Sequence, residues 1–169
     1  MSERTIRFTS AMLATAGAAI AGYLLYVRST GGTLACVTGG CDTVQHSSYS
    51  ELFGIPVAAL GLAGFLSLFV VALARGEVAR LTQATLALAG FFFGVYLLYV
   101  QVSVIDAICQ WCVASDLLTT AIAALALLRL RAGAVAAPPP AAPARPYPQR
   151  RPNGSRGPTR KQRQQARTR

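Results

Sequence analysis

The reactive chemistry of this 169-residue chain rests in four cysteines, Cys36, Cys41, Cys109 and Cys112. Thiols close in sequence make and break disulfides by thiolate attack through mixed disulfides, so two such pairs can relay electrons. Cys109-Gln110-Trp111-Cys112 has the CxxC spacing. At the start of a helix that spacing sets both sulfurs near free backbone N–H groups and the positive end of the helix dipole. Asp106, three residues ahead, is the expected N-cap, and its carboxylate would partly oppose the dipole. CxxC alone also suits a structural disulfide or half of a metal site. The single histidine, His46, shares a segment with Cys36 and Cys41. Cys/His zinc sites usually repeat tighter units, however, so no metal is expected and His46 reads as a loop residue.

The elements that must position these cysteines are apolar helices. Residues 8–27, 55–74, 81–104 and 108–130 are each long and apolar enough to cross a bilayer, which takes roughly 20 residues. The expected fold is therefore an all-α membrane protein, a bundle of four transmembrane helices with an extracytoplasmic loop between the first two. Small residues, such as Gly61 and Gly64 and the GxxxG pair Gly90 and Gly94, suit close helix packing. Basic residues set the orientation. Arg4 and Arg7, Arg75 and Arg80, and Arg129 and Arg131 all fall on one side, against Arg28 alone on the other. Both termini are thus expected in the cytoplasm, with segments 28–54 and 103–107 outside. Arg4, Arg7 and the following apolar run also resemble a signal peptide, but the run has full membrane-spanning length. Either way the cysteines face the compartment where disulfides persist.

Residues 1–131 are read as the membrane domain and 132–169 as a disordered, Pro/Ala-rich and basic cytoplasmic tail. From Arg129 onward there are eleven Lys or Arg and no acid. The net charge of +10 thus reflects a lopsided tail rather than a nucleic-acid surface, and its expected neighbour is the lipid bilayer. Two cysteine pairs at a membrane face describe a relay: a mobile outer pair meets a soluble partner, and an inner pair meets a lipid-soluble acceptor. With no haem ligands, dinucleotide fingerprint or convincing metal box in the sequence, a membrane quinone is the natural acceptor.

At these residues the chain resembles the vitamin K epoxide reductase family, including its bacterial homologues. The likeness is carried by Cys41-Asp42-Thr43-Val44-Gln45-His46-Ser47-Ser48-Tyr49, by Leu52-Phe53-Gly54-Ile55-Pro56 through Gly61, and by the CxxC that opens the last span. It covers roughly residues 8–130. The resemblance implies that Cys36 exchanges with a partner's thiols, Cys41 passes electrons to Cys109, and Cys112 faces the quinone. Ser47 matches a serine near the quinone head group, with a helix cap or local loop hydrogen bond as the alternative role. Phe53, Ile55 and Pro56 are expected to shape the pocket mouth. Asp116 stands where vertebrate members carry tyrosine. Four residues after Cys112 on one helical face, it is a candidate proton donor to the quinone or simply a hydrated group.

The expected activity is that of a bacterial inner-membrane thiol oxidoreductase. It generates disulfides by reoxidising a separate extracytoplasmic thioredoxin-fold thiol oxidase, with menaquinone or ubiquinone as acceptor. The alternatives are the same chemistry run in reverse, as a vitamin K quinone or epoxide reductase, and a non-catalytic scaffold stapled by disulfides.

Overall fold

The computed structural model describes residues 2–136. Of the expected tail, residues 132–169, the first five continue the last helix to Ala136, and the part from 137 onward lies outside the described residues. Five α-helices and one short hairpin follow in order: α1 (Glu3–Thr30), α2 (Cys41–Gln45), β1 (Glu51–Leu52), β2 (Ile55–Pro56), α3 (Val57–Leu73), α4 (Glu77–Val100) and α5 (Gln110–Ala136). A single 3-10 turn, Ser48–Ser50, precedes the hairpin, and a π-helical turn, Gln101–Ile105, extends α4.

Helix α1 starts at Ser2, whose hydroxyl accepts the Thr5 N–H at 3.2 Å, and stops at Gly31, which adopts the left-handed conformation at φ 66°. One stripe, including Ile6, Ala14, Gly17, Ala21 and Leu24, is buried against α3 and α5. Gly17 is required there, because a Cβ would run into the Phe65 ring of α3. Gly90 and Gly94 do the same on α4. A Cβ at Gly90 would lie 3.1 Å from Thr119 Cγ2, and one at Gly94 would lie 2.5 Å from Asp116 Oδ1. The GxxxG spacing thus brings α4 against α5 by backbone approach.

Three helices are long and apolar enough to cross a membrane: Glu3–Thr30, Glu77–Ile105 and Gln110–Ala132. Helix α3 is apolar but has 17 residues, about 25 Å of rise against a hydrocarbon core of about 30 Å. It is shorter than the expected 55–74. Ile55 and Pro56 pair with Leu52 and Glu51 in the hairpin, and Ala74 is extended.

One end of the bundle is tied by charge. Arg129, 1 % exposed, donates Nη1 to Gln83 Oε1 at 2.5 Å and Nη2 to Ala74 O at 2.7 Å, with Glu3 Oε1 3.6 Å from its Nε. Arg80 pairs with Glu3 at 2.8 Å. Arg7 donates to Ala72 O at 3.1 Å and also to Leu73 O. The last carbonyls of α3, which have no partners within their own helix, are thereby satisfied by arginines of α1 and α5.

Candidate functional site

At the other end, all four cysteines share one cluster. Cys36 and Cys41 form a disulfide with Cα atoms 6.0 Å apart, while Cys109 and Cys112 are free thiols. Cys41 and Cys109 are fully buried together with Leu24, Val27 and Leu34, and Cys36 and Cys112 pack against that core. The four residues come from sequence positions about 70 apart, so only the fold brings the pairs together.

The loop that carries the outer pair is docked, where a mobile loop was expected. Thr38 Oγ1 donates to Ile108 O at 2.8 Å, Val37 N–H to Gln110 Oε1 at 3.0 Å, and Trp111 Nε1 to Ala35 O at 2.9 Å. Tyr23 supports this from α1: its ring meets Trp111 edge-on at 5.4 Å, and its hydroxyl accepts the Ala35 N–H. Gly40 fits against the Ile108 backbone, where a Cβ would lie 2.7 Å from Ile108 O and 2.8 Å from Ile108 N. No other residue allows that approach without moving the chain. Within the outer pair, Cys41 is sealed, whereas Cys36 is half-buried beside Thr38 Oγ1 at 3.2 Å.

The inner pair sits at the N-terminus of α5. The helix begins at Gln110, so Cys109 occupies the cap position just outside the span, and its Sγ accepts the Cys112 N–H at 3.4 Å. Asp106 is therefore not the cap that the sequence led one to expect. It is left-handed (φ 54°) and closes the π-helical turn by donating its N–H to Gln101 O. The Cys109 thiol is held below its ordinary range, first by the hydrogen bond from the Cys112 side chain and then by the N–H groups of Cys112 and Trp111. Burial and the Asp116 charge pull the other way. The thiolate, the reactive form in exchange, is thus favoured at the inner-pair sulfur that is buried in one cluster with Cys41.

Below the cluster lies a cavity of about 240 Å³ between the helices. Its walls are mainly apolar (Leu24, Phe65, Leu68, Phe93 and Leu97), and Cys112, Ser115, Asp116, Thr119, Gln45, Ser47 and Gln101 add polar groups. Asp116 Oδ2 is enclosed and has no hydrogen-bond partner among the described residues. An apolar slot with few convergent polar groups and a thiol in its wall is chemically suited to a quinone ring.

The fold brings Cys112, Ser47 and Asp116 to this cavity. Ser47 donates its hydroxyl to Val44 O at 2.8 Å, so its present bond is the local loop contact. Phe53 does not line the cavity. With Gly54 it makes the positive-φ tip of the hairpin (52° and 78°), and it is 97 % exposed. Two successive left-handed residues reverse the chain there and throw the ring outward. Ile55 and Pro56 stand aside as well, and Val57 and Ala58 form the wall instead. His46 ends α2, with Nδ1 2.9 Å from Asp42 O. No cluster of three metal-ligating side chains occurs among the described residues. Gln101 was not anticipated, yet it is buried and lines the cavity. A glutamine inside an apolar span was the available signal.

Residues 8–127 match the Vitamin K epoxide reductase family, whose members are membrane-embedded oxidoreductases that use quinones. The match takes in all four cysteines and every helix that frames them. With more than two thirds of its length so matched, the chain belongs to the Vitamin K epoxide reductase family.

Proposed function

We propose that this chain is a four-span, quinone-linked thiol oxidoreductase that generates disulfides on the extracytoplasmic side of a bacterial inner membrane. The observation that carries this reading is the single buried cluster of two cysteine pairs directly above an apolar cavity. The distribution of arginines supports the orientation, with α3 as the fourth span.

A reduced thioredoxin-fold partner attacks Cys36, the accessible sulfur. The Cys36–Cys41 bond breaks, Cys41 leaves as a thiolate, and the partner's second thiol completes its own disulfide. Cys41 then attacks Cys109 of an oxidised inner pair, and the Cys109–Cys112 bond breaks. Cys36 attacks Cys41, so that the outer disulfide re-forms and Cys109 leaves as a thiolate stabilised by the helix N-terminus. The outer disulfide and inner dithiol of the structure correspond to this stage, with two electrons stored beside the cavity. When bound, a membrane quinone such as menaquinone or ubiquinone supplies the acceptor for two electrons and two protons. Cys112 faces that acceptor, the Cys109–Cys112 disulfide re-forms, and Asp116, one turn along α5, passes a proton at Oδ2. Ser47 lies within reach to hydrogen-bond a ring oxygen if its hydroxyl turns from Val44.

Purified protein in nanodiscs containing menaquinone should oxidise a thioredoxin-fold dithiol with stoichiometric quinone reduction. Cys41→Ala, whose Cys36 is a lone thiol, should form a mixed disulfide when given the oxidised partner, Cys36 attacking the partner's disulfide and releasing its second thiol. Quinone reduction persisting in Cys112→Ser would sink the reading.

A further inference from the structure

Gln101 accepts a hydrogen bond from the backbone of the inner pair, and the role inferred for it rests on the redox reading above. It is 2 % exposed and lies where α4 changes from α- to π-helical winding. Such single turns recur at functional sites because they re-aim the chain at a local energetic cost. Here the widened turn delivers three backbone N–H groups to one residue. Asp106 and Ala107 both donate to Gln101 O, the latter at 3.1 Å. Cys109 donates its N–H to Gln101 Oε1 at 2.9 Å. That last group belongs to the cap residue of α5, and it is buried away from water, so losing its acceptor would be costly.

Two of these bonds end on the Gln101 carbonyl and Thr38 holds Ile108 O, so the part of the connection that depends on the Gln101 side chain is the seat of the Cys109 N–H. A left-handed Asp106 follows the π-helical turn, and the loop's outer surface, including Ile108, is exposed. Nothing else described at Cys109 N–H replaces the amide. We propose that Gln101 is a positioning residue for electron transfer between the two cysteine pairs. By accepting the Cys109 N–H it holds the Cys109 sulfur at the α5 cap, where the Cys112 N–H stabilises it as the leaving thiolate. It acts through Cys109 and takes no electrons itself. A more stable leaving thiolate departs faster and draws the pair equilibrium toward outer disulfide and inner dithiol.

The test uses the full chain in nanodiscs as wild type, Q101M and Q101E. Methionine keeps the volume and removes the acceptor. Glutamic acid, held neutral by burial, keeps an oxygen in the same place. The titratable groups facing Cys109, namely Cys112 and Asp116, are unchanged throughout. Each protein is poised in a dithiol buffer, trapped with an alkylating agent, and its disulfides mapped by mass. In Q101M the ratio of outer to inner disulfide should fall about tenfold, and Cys109 alkylation should move up by about one pH unit. The KM for quinone should stay near the wild-type value, and Q101E should recover most of the ratio. If Q101M does not assemble, Q101N, which is too short to reach Cys109, takes its place. Wild-type ratio and alkylation profile in the acceptor-less variant overturn the inference while leaving quinone reduction by the cysteines intact. A wild-type protein that never reduces quinone overturns the redox reading instead, whatever the variants do to Cys109.

Discussion

The two ends of this bundle both bury polar groups, but they use them in opposite ways. At one end Arg129, Arg80, Arg7, Glu3 and Gln83 pair with one another and with the carbonyls that end α3, and the atoms left over there, Gln83 Nε2 and Arg129 Nε, belong to residues that do not line the cavity. At the other end Asp116 Oδ2 is left without a partner, facing a cavity. Two free thiols and a docked disulfide sit above it. Tied polar groups hold helices in register, whereas polar groups left open beside an apolar slot hold chemistry in reserve. On the proposed reading, the arginine end serves assembly and the cysteine end turnover.

Substitutions can break that division. The largest effect is expected from Cys112→Ser, which should abolish quinone reduction with no change in thermal midpoint. A fall in midpoint with activity retained would reverse the roles of the two ends. Next comes Arg129→Met, which leaves Gln83 and Ala74 O without their donor. Because Glu3 is partly exposed, the loss should be about 2 kcal/mol rather than the full cost of breaking a buried pair. It should be read as a lower unfolding midpoint, with the KM for quinone unchanged. Gly40→Ala should push the outer loop off Ile108 and slow exchange between the pairs about tenfold, measured by stopped-flow after a dithiol pulse. Since the Cys109 thiol titrates below the usual thiol range, it is thiolate at lower pH than an ordinary cysteine. The pH midpoint of its alkylation should lie below that of the same thiol in the denatured chain, whatever the absolute rate at the buried sulfur. A profile matching a free cysteine would remove the helix-cap argument. The smallest effect belongs to Phe53→Ser, expected to change the KM for quinone less than about twofold because the ring lies outside the cavity.

How far the sequence reached depended on range. The cysteines, the apolar stretches and the glycines between α4 and α5 were legible, since composition and short spacings report them. The shortening of α3 was hidden, because Ile55 and Pro56 are apolar enough to read as helix while they pair in a hairpin. Phe53 was read as pocket lining because apolarity alone does not reveal a positive φ. Asp106 has the right residue type for a cap, but the π-helical turn shifts the start of α5 so that a cysteine caps it. The docking of the outer loop depends on hydrogen bonds such as Thr38 to Ile108, 70 residues apart, and no local pattern encodes such a contact. Gln101 stood out only as a lone amide in an apolar run, and its meaning came with the three N–H groups around it.

The unequal exposure of the outer disulfide has its own consequence. With Cys41 sealed and Cys36 at the rim, only one sulfur of that bond admits an incoming nucleophile. A small thiol that attacks there gains a single covalent tether and no second thiol to release it, so it falls back as the sealed sulfur returns. A protein dithiol carries its own resolving group and goes forward. Under the proposed function the asymmetry would act as a rectifier, passing current from paired thiols and turning away the solitary ones that would drain it.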